Sequence, residues 1–150
     1  MHDREDWGRA HDGENPVQRR ITEEDISAFA DLSGDHHRLH TDAEFASRTR
    51  YGQPIAHGLL TAAVASGLLF SAGIIDDDVE ALVEVTLRFV GPVFGGDELR
   101  DSTRLVESRT TRSGGTIERH ESELTGRDGA PVLWAEWVLL RRPPSDGADQ

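Results

Sequence analysis

The chain has 150 residues, enough for one domain with a sizeable core, and its formal net charge is −12 at pH 7. All sixteen basic residues are arginine, and the sequence contains neither lysine nor cysteine. The acidic balance argues against nucleic acid as a partner, and the lack of cysteine excludes disulfides, thiolate catalysis and cysteine-bound metal centres. The surplus of acids predicts a salt-adapted, halophilic source, although a GC-rich genome would also favour arginine over lysine.

Both ends of the sequence are polar and lack hydrophobic periodicity. We expect residues 1–15 and 143–150 to be tails around a single domain whose ordered core spans about 16–142. The first residues include acids and no apolar segment, which is not the pattern of a secretory signal. These features favour a cytoplasmic protein.

A helix start is clear near residue 22. Thr22 and Asp25 have the spacing of a capping box, and Ile21 is placed to pack against Ile26 across the first turn. The pattern predicts a helix over about 23–32 that ends at Gly34, so that Asp35 begins an irregular loop. A shorter amphipathic helix is predicted over 42–48, with Phe45 facing inward.

The run from Ile55 to Ile75 is apolar enough to be compared with a membrane span. It is interrupted by small residues and is followed by three aspartates at 76–78, where a membrane anchor would be basic. We therefore predict a central buried helix over about 57–72 and no membrane association.

Downstream, the period changes from helical to alternating. Val83, Val85, Leu87 and Phe89 are expected to share one face of a half-buried strand. Glycine-rich turns then predict strands over 98–110, 116–125 and 132–140, the last carrying two tryptophans into the sheet, and a first strand is expected near 17–21. The predicted fold class is α+β, with an antiparallel sheet of about five strands wrapped around a long central helix.

Three short motifs then stand out. They are Ser33-Gly34-Asp35 with His40 five residues on, Pro54-Ile55-Ala56-His57-Gly58, and Ser66-Gly67. Together they resemble the MaoC-like, (R)-specific enoyl-CoA hydratase family of the hot dog fold, and Leu87-Arg88-Phe89, Pro92-Val93 and Gly96-Asp97 are similar to its second strand and turn. The resemblance covers residues 17–141. It implies a hot dog fold, a homodimer, an acyl-CoA thioester substrate and no cofactor beyond the coenzyme A of that substrate.

The resemblance also implies a reaction, the reversible hydration of trans-2-enoyl-CoA to (R)-3-hydroxyacyl-CoA in fatty-acid degradation or polyhydroxyalkanoate supply. Asp35 and His40 match the catalytic pair that activates water. The backbone N–H of Gly58, at the head of the central helix, would polarise the thioester, and the lack of a side chain there would permit close approach. Ser66 and His57 are the further substrate-binding candidates.

Each candidate also has a structural interpretation. Asp35 could be a turn carboxylate, His40 a loop histidine, His57 a residue that holds the loop, and Ser66 a small residue in a tightly packed helix. His36, His37, His40 and His57 around Asp35 also admit a zinc or iron site. We predict no metal, because adjacent histidines point in different directions and the resemblance explains Asp35 and His40 without one.

The loop departs from the family pattern at two positions. The family usually has asparagine and then proline where this chain has His37 and Arg38, which removes an amide and a rigid residue. This keeps two other functions open, a hot dog acyl-CoA thioesterase and a non-catalytic acyl-CoA-binding or regulatory module. Arg88 and the other arginines are either solvated or bind the phosphates of coenzyme A.

Overall fold

The computed structural model of the chain describes residues 17–144. The tail predicted for 1–15, and all but two residues of the tail predicted for 143–150, lie outside this range. The helices are α1 (Glu23–Ser33), α2 (Arg38–Thr41), α3 (Ala43–Ser47) and α4 (Gly58–Ser71). The strands are β1 (Gln18–Arg20), β2 (Val79–Phe89), β3 (Glu98–Thr110), β4 (Thr116–Thr125) and β5 (Pro131–Arg141).

The five strands form one antiparallel sheet in the order β1-β3-β4-β5-β2. The predicted strand count is confirmed, and β5 lies inside the sheet between β4 and β2, as its apolar residues on both faces indicate. No helix in residues 17–144 has the length and apolar character that crossing a bilayer requires.

The first helix follows its local sequence signals closely. The Thr22 hydroxyl accepts a hydrogen bond from the backbone N–H of Asp25 at 3.0 Å, and the Asp25 carboxylate accepts one from the Thr22 N–H at 2.9 Å. This is the predicted capping box. Gly34 ends the helix in the left-handed conformation, with φ of 79°, so the chain leaves α1 in a fixed direction at Asp35.

The long helix α4 packs on the concave side of the sheet. Its buried side chains join residues of β3, β4 and β5 in one hydrophobic core, which includes Leu99, Leu124 and Trp137. The predicted central helix is confirmed, but it is covered on one side only. Within residues 17–144 a stripe at helical spacing remains exposed, consisting of Leu59, Ala63, Gly67 and Phe70.

Strand β2 is present, but the prediction that it is half-buried is wrong for the single chain. Val83 is 55% exposed and Phe89 is 48% exposed, and of the four residues predicted on one face only Leu87 is partly buried. The strand forms an edge of the sheet, paired on one side with β5. A register shift between Leu82 and Glu84 also places Leu82 opposite Leu139 of β5, so Leu82 takes the inner-face position predicted for Val83.

Candidate active site

The first site residue, Asp35, lies in the turn that follows α1. Its backbone N–H donates to the Ser33 hydroxyl at 3.1 Å, and its carboxylate accepts a hydrogen bond from the backbone N–H of His37 at 3.2 Å. The side chain is exposed. The local hydrogen bonds therefore hold the carboxylate at the start of the loop while leaving it accessible to solvent.

The loop after Asp35 is not wholly irregular, because Arg38–Thr41 form a single helical turn, α2, that the sequence analysis missed. His37 is its N-cap residue, and the His37 Nδ1 accepts a hydrogen bond from the Leu39 N–H at 3.0 Å. Asparagine is a favoured N-cap and proline is favoured at the next position. The His37 ring thus supplies the acceptor that the family's asparagine would supply at that position.

Arg38, in the place of the usual proline, is held by side-chain contacts. Its guanidinium donates twice to the Asp42 carboxylate, at 3.0 and 2.8 Å, and lies over the Phe45 ring at 4.7 Å. Phe45 is half-buried on α3, close to the predicted inward position. These contacts tie α2 to α3, so the departure from the family pattern is compensated by a different set of local bonds.

His40 lies at the end of this turn and is half-buried. Its Nδ1 is 2.7 Å from the backbone carbonyl oxygen of Ile55, which can only accept a hydrogen bond. The proton of a neutral ring is therefore on Nδ1, and Nε2 carries the free lone pair. Burial lowers the pKa of His40 below its ordinary value, although the Ile55 carbonyl opposes this by stabilising the protonated ring. A neutral His40 ring therefore has an unprotonated Nε2, which is able to accept a proton.

His57 is the most buried of the histidines at the site, at 2% exposed. Its Nε2 donates to the backbone carbonyl of Asp35 at 2.9 Å, its ring stacks on that of His40 with centroids 3.8 Å apart, and the Phe29 ring contacts it edge-on. Its Nδ1 is buried without a hydrogen-bond partner among residues 17–144. His57 therefore joins the Asp35 loop, the His40 ring and the start of α4.

The side chains of Asp35, His40 and His57 converge. One nitrogen or oxygen atom of each lies within 4.8 Å of the corresponding atom of the other two. A single water at hydrogen-bond distance from two such atoms fits this separation. The same three atoms could hold a divalent metal. The two other histidines of the loop are not in this set, because His36 faces Asp31 at 3.7 Å and His37 is the N-cap of α2. The prediction that no metal is bound stays a prediction.

Gly58 is the first residue of α4, immediately after His57. Within the described part of the chain no side chain caps this helix, so the backbone N–H groups of its first turn have no side-chain acceptor. A Cβ atom at Gly58 would lie 3.0 Å from the Phe89 ring. The space that the missing side chain leaves is therefore occupied by Phe89 of the edge strand, a contact that the sequence analysis did not predict.

Ser66 lies two turns further along α4 and is half-buried. Its hydroxyl donates to the backbone carbonyl of Ala63 in the same helix, at 2.7 Å. This bond is local to α4. The structure brings Asp35, His40 and His57 together, with Gly58 directly after His57 in the chain, while the hydrogen bond of Ser66 stays within its own helix.

Two cavities adjoin the site. A cavity of 300 Å³ is lined by His40, and we call it the His40 cavity; its other lining residues are Glu23, Ile26, Ser27, Thr41, Ala43, Gln53, Pro54 and Gly95. A cavity of 410 Å³ is lined by Gly58 and Phe89, and we call it the Gly58 cavity; its other lining residues are Arg50, Tyr51, Ile55, Ala56, Thr61, Val90, Gly91, Pro92, Val93 and Val132. His40 and the start of α4 thus border separate cavities.

Known proteins share this sequence and this structure. The pattern of the family described as MaoC like domain matches residues 7–126. The chain is 32% identical over 123 residues to the (R)-specific enoyl-CoA hydratase of Aeromonas caviae, covering 82% of this chain and 88% of the relative. It is also 32% identical over 133 residues to the 3-hydroxybutyryl-CoA dehydratase of Methylorubrum extorquens, covering 89% and 80%.

The solved structure of the (R)-hydratase of A. caviae, involved in PHA biosynthesis, superimposes with a TM-score of 0.73 and 29% identity, over 86% of this chain and 93% of that one. The relatives named above are hydratases and dehydratases, and the family pattern spans most of this sequence. The curled five-stranded antiparallel sheet against a long helix is the common architecture. The chain therefore belongs to the MaoC-like domain family and has its hot dog fold.

Proposed function

We propose that this protein is a hydro-lyase that reversibly hydrates trans-2-enoyl-CoA to (R)-3-hydroxyacyl-CoA. The observation that carries the proposal is the convergence of Asp35, His40 and His57 beside the first residue of α4. The activities named for the A. caviae and M. extorquens relatives support the same reaction class.

In this mechanism a water bound between the Asp35 carboxylate and the His40 Nε2 is the nucleophile. The Ile55 carbonyl holds the His40 proton on Nδ1, and burial lowers the pKa of the ring, so Nε2 is free to accept a proton at neutral pH. The water oxygen forms a bond to the β-carbon. Its proton passes to the pair, and one proton is returned to the α-carbon, so the net change is addition of one water.

The negative charge that develops on the thioester oxygen needs hydrogen-bond donors. The uncapped N–H groups at the start of α4, beginning with Gly58, are oriented along the helix axis and carry its positive dipole end. His57 positions both the Asp35 loop and the start of α4, because its ring donates a hydrogen bond to the carbonyl of Asp35 and it directly precedes Gly58. In the proposed site, Ser66 contacts the acyl chain further along α4.

We also propose that the active protein is a homodimer. The apolar residues exposed on β2 and the exposed stripe of α4 form surfaces that a second copy would cover. The free edge of β2 offers backbone groups for pairing with the same strand of the partner.

The test is the reaction of the purified protein with crotonyl-CoA in high salt. Loss of enoyl absorbance, release of free thiol and the chirality of any 3-hydroxybutyryl-CoA are followed together. We expect hydration to the (R)-product, and we expect Asp35→Asn and His40→Gln each to lower kcat by about 10²- to 10⁴-fold, because each removes one partner of the water.

Two neighbouring positions provide matched controls. Asp31→Asn and His36→Gln make the same chemical changes on exposed side chains that face each other, and we expect near wild-type rates. Thiol release without hydration would identify a thioesterase instead, and binding without turnover would identify a regulatory module. Hydration by Asp35→Asn and His40→Gln at the wild-type rate would contradict the mechanism.

A further inference from the structure

The arginines of this acidic protein are mostly neutralised by neighbouring carboxylates. Within residues 17–144, ion pairs to aspartate or glutamate are made by Arg19, Arg38, Arg48, Arg100, Arg104, Arg119, Arg127, Arg141 and Arg142. Arg50 differs from these arginines. Its guanidinium donates to the neutral hydroxyl of Tyr51 at 2.9 Å and lies over the Tyr51 ring at 4.9 Å. Neither contact cancels its positive charge.

Arg50 lies at a cavity whose lining suits a negatively charged ligand. It lines the Gly58 cavity together with Tyr51, and the described residues that line this cavity include no aspartate or glutamate. The His40 cavity is lined by Glu23. The 560 Å³ groove around Gly96 and Gly126 is lined by Asp97, Glu98 and Asp128, and its two arginines, Arg100 and Arg127, are paired with Glu98 and Asp97. In a chain with 28 acids and 16 arginines, a cavity whose described lining holds one arginine and no acid is well suited to an anion.

Apart from Thr61, the remaining side chains that line the Gly58 cavity are apolar. Val93 and Val132 are buried there, and the Phe89 ring closes it beside Gly58. A ligand that fits this cavity has a polar, anionic end at Arg50 and a less polar arm that reaches the start of α4. This is the chemistry of a phosphorylated pantetheine thioester.

We propose that Arg50 binds a phosphate of the substrate's pantetheine arm, and that the Gly58 cavity holds this arm between Arg50 and the helix start. The inference rests on the proposed function, because it takes the substrate to be a phosphopantetheine thioester. The phosphate chemistry is shared by coenzyme A and by a carrier protein bearing the same arm. Arginine suits it because its planar guanidinium donates two parallel hydrogen bonds to phosphate.

The first experiment measures binding without turnover. Calorimetric titrations compare coenzyme A, 4′-phosphopantetheine and pantetheine on the wild type, Arg50→Gln and Arg50→Lys. We expect Arg50→Gln to weaken coenzyme A binding about tenfold relative to pantetheine binding, and Arg50→Lys to lose less, because it retains the charge but not the paired donors. The same loss with 4′-phosphopantetheine is the expected result, because this compound carries the phosphate that coenzyme A shares with carrier proteins. Loss with coenzyme A alone would overturn the assignment to the pantetheine phosphate and place Arg50 at the nucleotide phosphates.

Arg48→Gln is the matched control. Arg48 lies two residues away, pairs with Glu44 at 3.1 Å and does not line the cavity, so we expect it to bind coenzyme A like the wild type. Equal binding by Arg50→Gln and the wild type would overturn the inference, as would an equal loss with pantetheine. Arg50-dependent binding of coenzyme A by a protein that does not hydrate crotonyl-CoA would support the inference and refute the proposed hydratase.

The second experiment uses kinetics. The ratio of KM for crotonyl-CoA to KM for crotonyl-pantetheine is expected to rise about tenfold in Arg50→Gln. Added salt is expected to raise KM for crotonyl-CoA less in Arg50→Gln than in the wild type, because the screened charge pair is missing. An unchanged ratio together with an unchanged salt response would contradict a phosphate contact at Arg50.

Discussion

At the scale of single residues, two backbone carbonyls decide which ring nitrogens are available for chemistry. The Ile55 carbonyl accepts a hydrogen bond from Nδ1 of His40, and the Asp35 carbonyl accepts one from Nε2 of His57. The sequence places both histidines near Asp35. The sequence does not reveal which ring nitrogen carries the proton, because this is set by hydrogen bonds to residues 15 positions away from His40 and 22 positions away from His57.

The lowered pKa of His40 gives a prediction about pH. His40 acts as a base when Nε2 is unprotonated, so kcat/KM falls as the pH falls through the pKa of this ring. Because burial lowers that pKa from its usual value near 6.5, the acidic limb is expected to lie below about pH 6.5. A profile of kcat/KM for crotonyl-CoA between pH 4.5 and 8 measures it.

The control for this profile is the residual activity of His40→Gln. We expect that activity to lack the histidine limb, since glutamine does not titrate. An acidic limb centred above pH 6.5 in the wild type would contradict the assignment of His40 as a desolvated base.

At the scale of elements, local signals account for most of the boundaries. The observed ranges of β3 and β4 are those predicted, 98–110 and 116–125, because glycine-rich turns flank both strands. Helix α1 extends one residue beyond the prediction, between its capping box and Gly34. The single turn α2 was missed because a four-residue helix has no periodicity to read and depends on the unusual cap His37.

The capping role of His37 can be tested by substitution. His37→Ala removes the acceptor for the Leu39 N–H, and we expect the loss of a cap to cost about 1 kcal/mol, or about 2–4 °C in Tm. His37→Asn keeps a side-chain acceptor and is expected to retain most of the wild-type Tm.

Amide hydrogen exchange at Leu39 provides a local measure of the same cap. Exchange is expected to be faster in His37→Ala than in His37→Asn. If the two variants exchange and melt alike, His37 does not stabilise α2 through its ring nitrogen.

At the scale of the whole molecule, the predicted architecture is confirmed, but the single chain leaves more apolar surface exposed than its sequence suggested. Alternation predicts a buried face for β2, and it cannot reveal that the strand would lie at the sheet edge or that its register shifts beside Leu82. The contact between Phe89 and Gly58 joins residues far apart in sequence, so the sequence pattern could not predict it either.

The proposed dimer makes its own prediction about β2. Val83→Lys places a charge on this exposed edge and is expected to shift the protein from dimer to monomer in sedimentation velocity, because an edge lysine opposes strand pairing. Leu32→Lys is the control, since Leu32 is 85% exposed on α1 and belongs to neither of the two apolar surfaces. A monomeric wild type, or a Val83→Lys variant that stays dimeric, would contradict pairing through β2.

Phe89 belongs both to the Gly58 cavity and to the edge strand β2. Its ring fills the space at Gly58, and its backbone forms the end of the strand. In the proposed dimer, a thioester arm that displaces this ring acts directly on the strand where the subunits meet. Association and substrate binding would then be thermodynamically linked, and the factor by which dimerisation changes substrate affinity must equal the factor by which substrate changes the dimerisation constant.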